Sequence, residues 1–187
     1  MFRAQIRENL YLQLLEERHA SEVFSLADRD RAYLREWLPW VDATENVDDT
    51  LSFIRSTLEQ FGSSKGFVAG IWSVGDFCGV IGIHKLDLLN RNCEIGYWLG
   101  QSFQGQGIMT DACRAVVTHL LTERDLNRVV IQCACENEKS CAVPQRLGFT
   151  EEGTAREAQF LHGQFRDLRR FVMLKRDWKL DSSRLSS

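Results

Sequence analysis

The sequence predicts an α/β (α+β) fold with one mixed, mostly antiparallel sheet of about seven strands and helices on both of its faces. Three observations carry this expectation. A turn joins two β-rich runs before residue 90, helix and strand patterns alternate between residues 109 and 147, and the chain then returns to a hairpin. No internal repeat or low-complexity linker interrupts these runs, so residues 1–187 are expected to form one domain.

In chain order, residues 10–15 read as a short strand. Residues 16–37 carry Ala20, Val23, Phe24, Ala27, Leu34 and Trp37 at broadly helical spacing, as one helix or as two with a break near Asp28, and Pro39 stops it. Val47, Leu51, Ile54 and Leu58 predict a second amphipathic helix over 47–61, ending at Gly62. Residues 67–72 and 77–84 form a hairpin across Ser73-Val74-Gly75-Asp76, and 93–99 is a further strand. Then follow a helix from about 109 to 123, a strand over 128–135 and a helix over 140–147. Strands at about 150–160 and 165–174 turn through His162-Gly163-Gln164, and residues 182–187 are expected to fray.

With 44% hydrophobic and 26% charged residues, the 187-residue chain can bury a core without metal or disulfide staples. Its 23 Lys and Arg against 26 Asp and Glu leave a net charge of −3, so nothing global draws nucleic acid or an anionic membrane. The cysteines at 78, 93, 113, 133, 135 and 141 lack the paired spacing of a zinc site, and no metal is expected. Free thiols in the cytoplasm fit them best. Charges throughout the first twenty residues leave neither a signal peptide nor a membrane span visible.

The most informative segment is Gln104-Gly105-Gln106-Gly107-Ile108-Met109-Thr110, which links a strand to a helix through glycines. Gly105 and Gly107 let a ligand approach the main chain, and the helix behind them offers unpaired N–H groups at its positive end. Phosphate suits such a turn. Neither the lysine-bearing glycine loop of nucleotide hydrolases nor a dinucleotide G-x-G-x-x-G is present. In Asn137-Glu138-Lys139-Ser140, which opens the later helix, Asn137 or Ser140 could serve as the cap.

Together with Leu147-Gly148-Phe149, Glu94-Ile95-Gly96-Tyr97-Trp98-Leu99 and Trp37-Leu38-Pro39-Trp40, these motifs resemble the GCN5-related N-acetyltransferases, and within them the RimJ/RimL branch. The resemblance spans nearly the whole chain. It departs at Met109, where the family's loop prefers Gly or Ala; a Met side chain pointing away from the ligand leaves the N–H donors in place. The resemblance implies acetyl-CoA as cosubstrate, with pantetheine bound by main-chain groups near Tyr97, Trp98 and Leu99. The turn from Gln104 through Gly105, Gln106, Gly107 and Ile108 to Met109 would cradle the pyrophosphate, Asn137 would face pantetheine, and Ser140 the thioester sulfur. A homodimer is also implied, with the C-terminal hairpin as its contact.

Acetyl transfer to an amine needs a neutral nucleophile, stabilisation of the developing oxyanion and a proton for the departing thiolate. Ser140 is the candidate donor, with capping as its competing role. Some members of the branch use a Glu shortly before the final hairpin turn, but that position holds Gln159, which cannot accept a proton. Glu94, and Glu157 on the expected strand face of Gln159, are the remaining carboxylate candidates. Among the histidines, His84 and His162 are candidate bases, His119 reads as packing and His19 as surface. Asp167, His84 and Gln159 are candidate contacts to the acceptor, and Trp37 and Trp40 belong either to its wall or to the core. The expected acceptor is the N-terminal α-amine of a protein, as in ribosomal-protein acetylation. The alternatives are a small amine such as a polyamine, which Asp42, Glu45, Asp48 and Asp49 could attract, and a CoA-binding module without catalysis.

Overall fold

The computed structural model describes residues 3–179, so the expected fraying of 182–187 lies outside it. Eight strands are present among these residues: β1 (Arg3–Arg7), β2 (Leu10–Leu14), β3 (Val68–Ser73), β4 (Asp76–Asp87), β5 (Asn92–Leu99), β6 (Arg128–Ala134), β7 (Thr150–Leu161) and β8 (Gln164–Leu174). They form one sheet in the order β1-β2-β3-β4-β5-β6-β8-β7. The strand beyond the seven expected is β1, an edge strand whose Arg-Ala-Gln-Ile-Arg sequence is mostly exposed and shows no apolar alternation.

The helices are α1 (Ala20–Arg29), α2 (Arg31–Leu34), α3 (Val47–Gly62), α4 (Ile108–Thr118), which continues into a π-helical turn at His119–Glu123, and α5 (Glu138–Arg146). The expected break in the first helix falls at Asp30. Its buried carboxylate accepts the Gln101 N–H at 2.6 Å and so ties α1 to the turn ahead of the glycine loop. α3 opens with a reciprocal cap between Asn46 and Asp49. Both predicted hairpins turn on two residues of positive φ, Val74-Gly75 and His162-Gly163, as the twist of paired strands requires.

The helices cover both faces of the sheet. On one, α1 and α3 pack Val23, Leu26 and Ile54 against Leu15, Val68 and Val80. On the other, α4 and α5 pack Ile108, Ala112, Val116 and Val143 against Ile81, Ile95, Ile131 and Phe171. His19, expected on the surface, is buried beside Trp72 with ring centroids 5.0 Å apart, and its Nδ1 accepts the Glu16 N–H at 3.0 Å.

One irregularity dominates the centre. All neighbouring strands are antiparallel except β5 and β6, which run parallel and pair only at Asn92–Glu94 against Arg128–Val130. Beyond that point β5 keeps its partner β4 while its other edge diverges from β6, which opens a slot in the sheet.

Candidate active site

Two chambers meet at this slot. One, of ≈ 840 Å³, lies between β5, the glycine loop, α4 and α5, with Tyr33, Leu34 and Trp37 closing one side. The other, of ≈ 700 Å³, extends on the α1 and α3 side and is lined in part by Trp40, His84, Glu94, Gln132 and Gln159. Tyr97, Trp98, Asn137 and Ser140 line both. Each chamber has the volume usual for small-molecule sites.

Strand geometry decides which main-chain groups face the slot. The Gly100 N–H donates to the Cys78 carbonyl at 2.8 Å, and Trp98 and Leu99 stand opposite Val80 and Gly79. Alternation along an antiparallel pair then turns the polar groups of Trp98 and Gly96 toward β4, and those of Tyr97 and Leu99 toward the slot. Trp98 therefore does not supply the main-chain contact expected of it. It contributes its indole instead, wedged between Trp40 and Phe77 at centroid distances of 5.8 and 6.0 Å.

The glycine turn behaves as its sequence suggests. Gly105 and Gly107 hold φ of +75° and +74°, nothing lies where a Cβ would project from either, and Gly107 is the N-cap of α4. The N–H groups of the first helical turn have no acceptor within the helix. Met109 buries its side chain in the core beneath α4, which explains how it replaces a small residue. Gln104 accepts Lys139 Nζ at 2.9 Å, whereas Gln106 folds back onto the Ser102 carbonyl at 3.0 Å and lines neither chamber. The open cradle, together with a buried Arg114 Nε that has no hydrogen-bond partner, fits an anionic, phosphate-bearing cosubstrate such as acetyl-CoA. Arg114, Lys139 and Arg146 escaped the sequence analysis, although the seven-residue intervals from Gly107 to Arg114 and from Lys139 to Arg146 put each pair on one helix face.

At the slot, the competing roles of Ser140 separate. Asn137 caps α5, its Oδ1 accepting the Ser140 N–H at 3.1 Å, which leaves the Ser140 hydroxyl to donate to Cys133 Sγ at 3.2 Å. The Cys133 thiol is held protonated, its pKa pushed up by its contact with the Cys141 thiol and by burial, so it is no nucleophile. α5 contains Pro144, which has no N–H to offer the carbonyl of Ser140 four residues earlier. The Tyr97 hydroxyl takes that place at 3.0 Å, and burial raises the phenol well above its ordinary pKa.

In the second chamber, β4 bulges at His84, which has no partner on β5. The imidazole lies over the Gly96 main chain, where a Cβ would come within 2.0 Å of His84 Cε1. Desolvation lowers the His84 pKa, against the opposing pull of Glu94, and keeps the ring neutral at pH 7. Glu94 Oε2 accepts from Gln132 Nε2 at 2.8 Å and from Lys85 Nζ at 3.4 Å.

The remaining candidates divide. Gln159, Trp37 and Trp40 line the second chamber, and Trp37 lines the first as well. Glu157 does not: β7 bulges between Ala155 and Gln159, Glu157 takes a φ of +50°, and its N–H donates to Asp167 Oδ1 at 2.7 Å. The bulge breaks the alternation that would have put Glu157 on the face of Gln159. Asp167 is thereby spent on shaping the bulge and lines neither chamber. His162 contacts the Arg35 carbonyl at 2.5 Å, pinning the hairpin tip to the residue after α2. Among the described residues, no group of three potential metal ligands occurs, and no helix is long and apolar enough to cross a membrane.

A splayed parallel pair beside a glycine turn at a helix N-terminus defines an acyl-CoA-dependent acetyltransferase, and the chain belongs to the acetyltransferase (GNAT) domain family, whose model matches residues 9–150. It is 38% identical over 180 residues to the putative ribosomal N-acetyltransferase YdaF of Bacillus subtilis, covering 96% of this chain and 98% of that protein. It is 31% identical to the ribosomal-protein-serine acetyltransferase of Escherichia coli, over 91% of this chain and 95% of that one. Among solved structures, RimL, a ribosomal-protein α-N-acetyltransferase in complex with coenzyme A held through a cysteine disulfide, superposes with a TM-score of 0.88 at 28% identity, covering 91% of this chain and 96% of that one. The microcin self-immunity acetyltransferase MccE in complex with acetyl-CoA and AMP gives 0.87 at 28% identity, covering 90% and 94%.

Proposed function

We propose that the protein transfers acetyl from acetyl-CoA, by direct attack, to the N-terminal α-amine of a protein, in the first instance a ribosomal protein. The observation that carries this reading is the slot, which joins a phosphate-suited chamber to an acceptor chamber with Ser140 between them. The names of the relatives in Bacillus and Escherichia supply the ribosomal substrate class.

In this reading Tyr97 and Leu99 bind the pantetheine arm through the main chain, and an N–H at the slot meets the developing oxyanion. Ser140 donates to the departing sulfur. RimL holds coenzyme A through a disulfide to one of its cysteines, so a CoA thiol can lie beside a cysteine in a related structure, and here Cys133 and Ser140 stand together at the slot. Glu94 draws the acceptor ammonium and the neutral His84 takes its proton. An α-amine, with a pKa near 8, asks less of that base than a lysine near 10.4 would.

The acceptor wall favours a peptide over a polyamine. Glu94 is the one carboxylate among its lining residues; none of Asp42, Glu45, Asp48 and Asp49, which could have served a polyamine, lines it, and two of them are engaged elsewhere: Asp42 pairs with Arg35 at 2.9 Å, and Asp49 completes the α3 cap. The exposed Phe160 and Phe165, whose rings meet at a tilt with centroids 4.9 Å apart on the last hairpin, support that hairpin as a homodimer contact, and six free thiols fit a cytoplasmic setting.

Thiol release from acetyl-CoA, measured with ribosomal-protein N-terminal peptides and with polyamines, tests the assignment. Release with a peptide alone supports it, and release with polyamines moves the acceptor to small amines. CoA binding without release under either condition leaves a binding module.

A further inference from the structure

We infer that Arg114 and Arg146 form a subsite for the 3′-phosphate of coenzyme A, which makes the protein selective for CoA esters over their 3′-dephospho counterparts. This rests on acetyl-CoA occupying the chamber between α4 and α5. The cradle at Gly105 and Gly107 accounts for the pyrophosphate, and Lys139, bonded to Gln104, stands at the same end. Arg114 and Arg146 lie seven residues further along α4 and α5, two turns and roughly 10 Å down each axis. Both line the chamber, whose one acidic lining residue, Asp111, forms an ion pair with Arg7 at 3.0 Å. Cationic side chains from two packed helices, displaced from the pyrophosphate turn, therefore await a second anionic group on the same ligand.

The chemistry identifies that group. Arg114 Nε is buried with no hydrogen-bond partner, a costly state that a ligand oxygen would relieve. A guanidinium offers its donors as a planar fork that matches a phosphate. A phosphomonoester carries a charge of about −1.5 to −2 at pH 7 and three terminal oxygens, which suits two arginines. On coenzyme A, the ribose 3′-phosphate is the only phosphomonoester.

Calorimetric titration of the full chain with CoA and with 3′-dephospho-CoA tests the assignment, for the wild type and for Arg114→Met and Arg146→Met. Arg146 is exposed, so Arg146→Met provides a variant whose folding is not at stake. The wild type is expected to bind CoA about tenfold or more tightly than 3′-dephospho-CoA, and each variant to lose most of that preference while holding 3′-dephospho-CoA as before. Equal binding of the two ligands by the wild type overturns the inference. So does an Arg114→Met that weakens both ligands alike, which would assign Arg114 to the pyrophosphate. If the wild type binds neither ligand, the acetyl-CoA reading itself falls.

Discussion

The chamber beneath the glycine loop and the chamber on the acceptor side are made of different materials. The first is walled at its working end by main chain: the edge of β5 from Ile95 to Leu99, and a helix N-terminus cleared by two glycines. The second is walled by side chains drawn from distant parts of the chain, with Trp40 after α2, His84 on β4, Glu94 on β5, Gln132 on β6 and Gln159 on β7. Main-chain recognition tolerates many side chains, as Met109 illustrates, and is carried by a short motif. Side-chain recognition depends on each bulge and contact around it.

That contrast can be broken where the chambers meet. Ser140→Ala is expected to reduce kcat about 100-fold while leaving CoA affinity nearly unchanged, because Asn137 and not Ser140 caps α5. Single-turnover kinetics beside a CoA titration would check it, and a matched loss of affinity would return Ser140 to a structural role. Gly107→Val tests the main-chain side. A β-branched residue forced to a φ of +74° carries strain of about 1–3 kcal/mol, so CoA affinity should fall about tenfold or more by calorimetry. Near-normal affinity would mean that the cradle does not need its glycine.

The acceptor side should also respond to pH through its histidine. His84, like the buried His19, has its pKa lowered chiefly by desolvation, so the unfolded chain binds more protons than the folded one just below pH 6.5. Stability is then full above that pH and is lost as pH falls through the lowered values. Thermal melts at pH 7.5 and 5.5 should show this decline, and His84→Gln should remove its share. The smallest effect is expected at Glu157, where Glu157→Gln should leave kcat/KM within about twofold, as for an ordinary surface substitution. A large loss would bring the β7 bulge back into the chemistry.

The legibility of the sequence follows the same division. The turn from Gln104 to Met109 could be read because a glycine pair and a helix start are local events, and Asn137 because a cap is local too. Glu157 and Asp167 were misread because a bulge with a positive φ inside β7 leaves no trace in strand periodicity. His19 was misread because only the tertiary fold brings Trp72 to it. Arg114 and Arg146 leave no mark in the sequence because the apolar periodicity of α4 and α5 dominates both segments, and two single cations beside it look like ordinary surface. Edge strand β1 lacks the burial that would print a pattern.

The exchange between Pro144 and Tyr97 makes a side chain from the sheet complete the backbone of a helix. A residue with an N–H in place of Pro144 would let the helix bond the Ser140 carbonyl as well, since that oxygen has two lone pairs, while Tyr97→Phe alone would leave the carbonyl with neither donor. The helix therefore depends on the strand at this turn, and removing the phenol costs more with Pro144 in place than it would beside a residue that has an N–H.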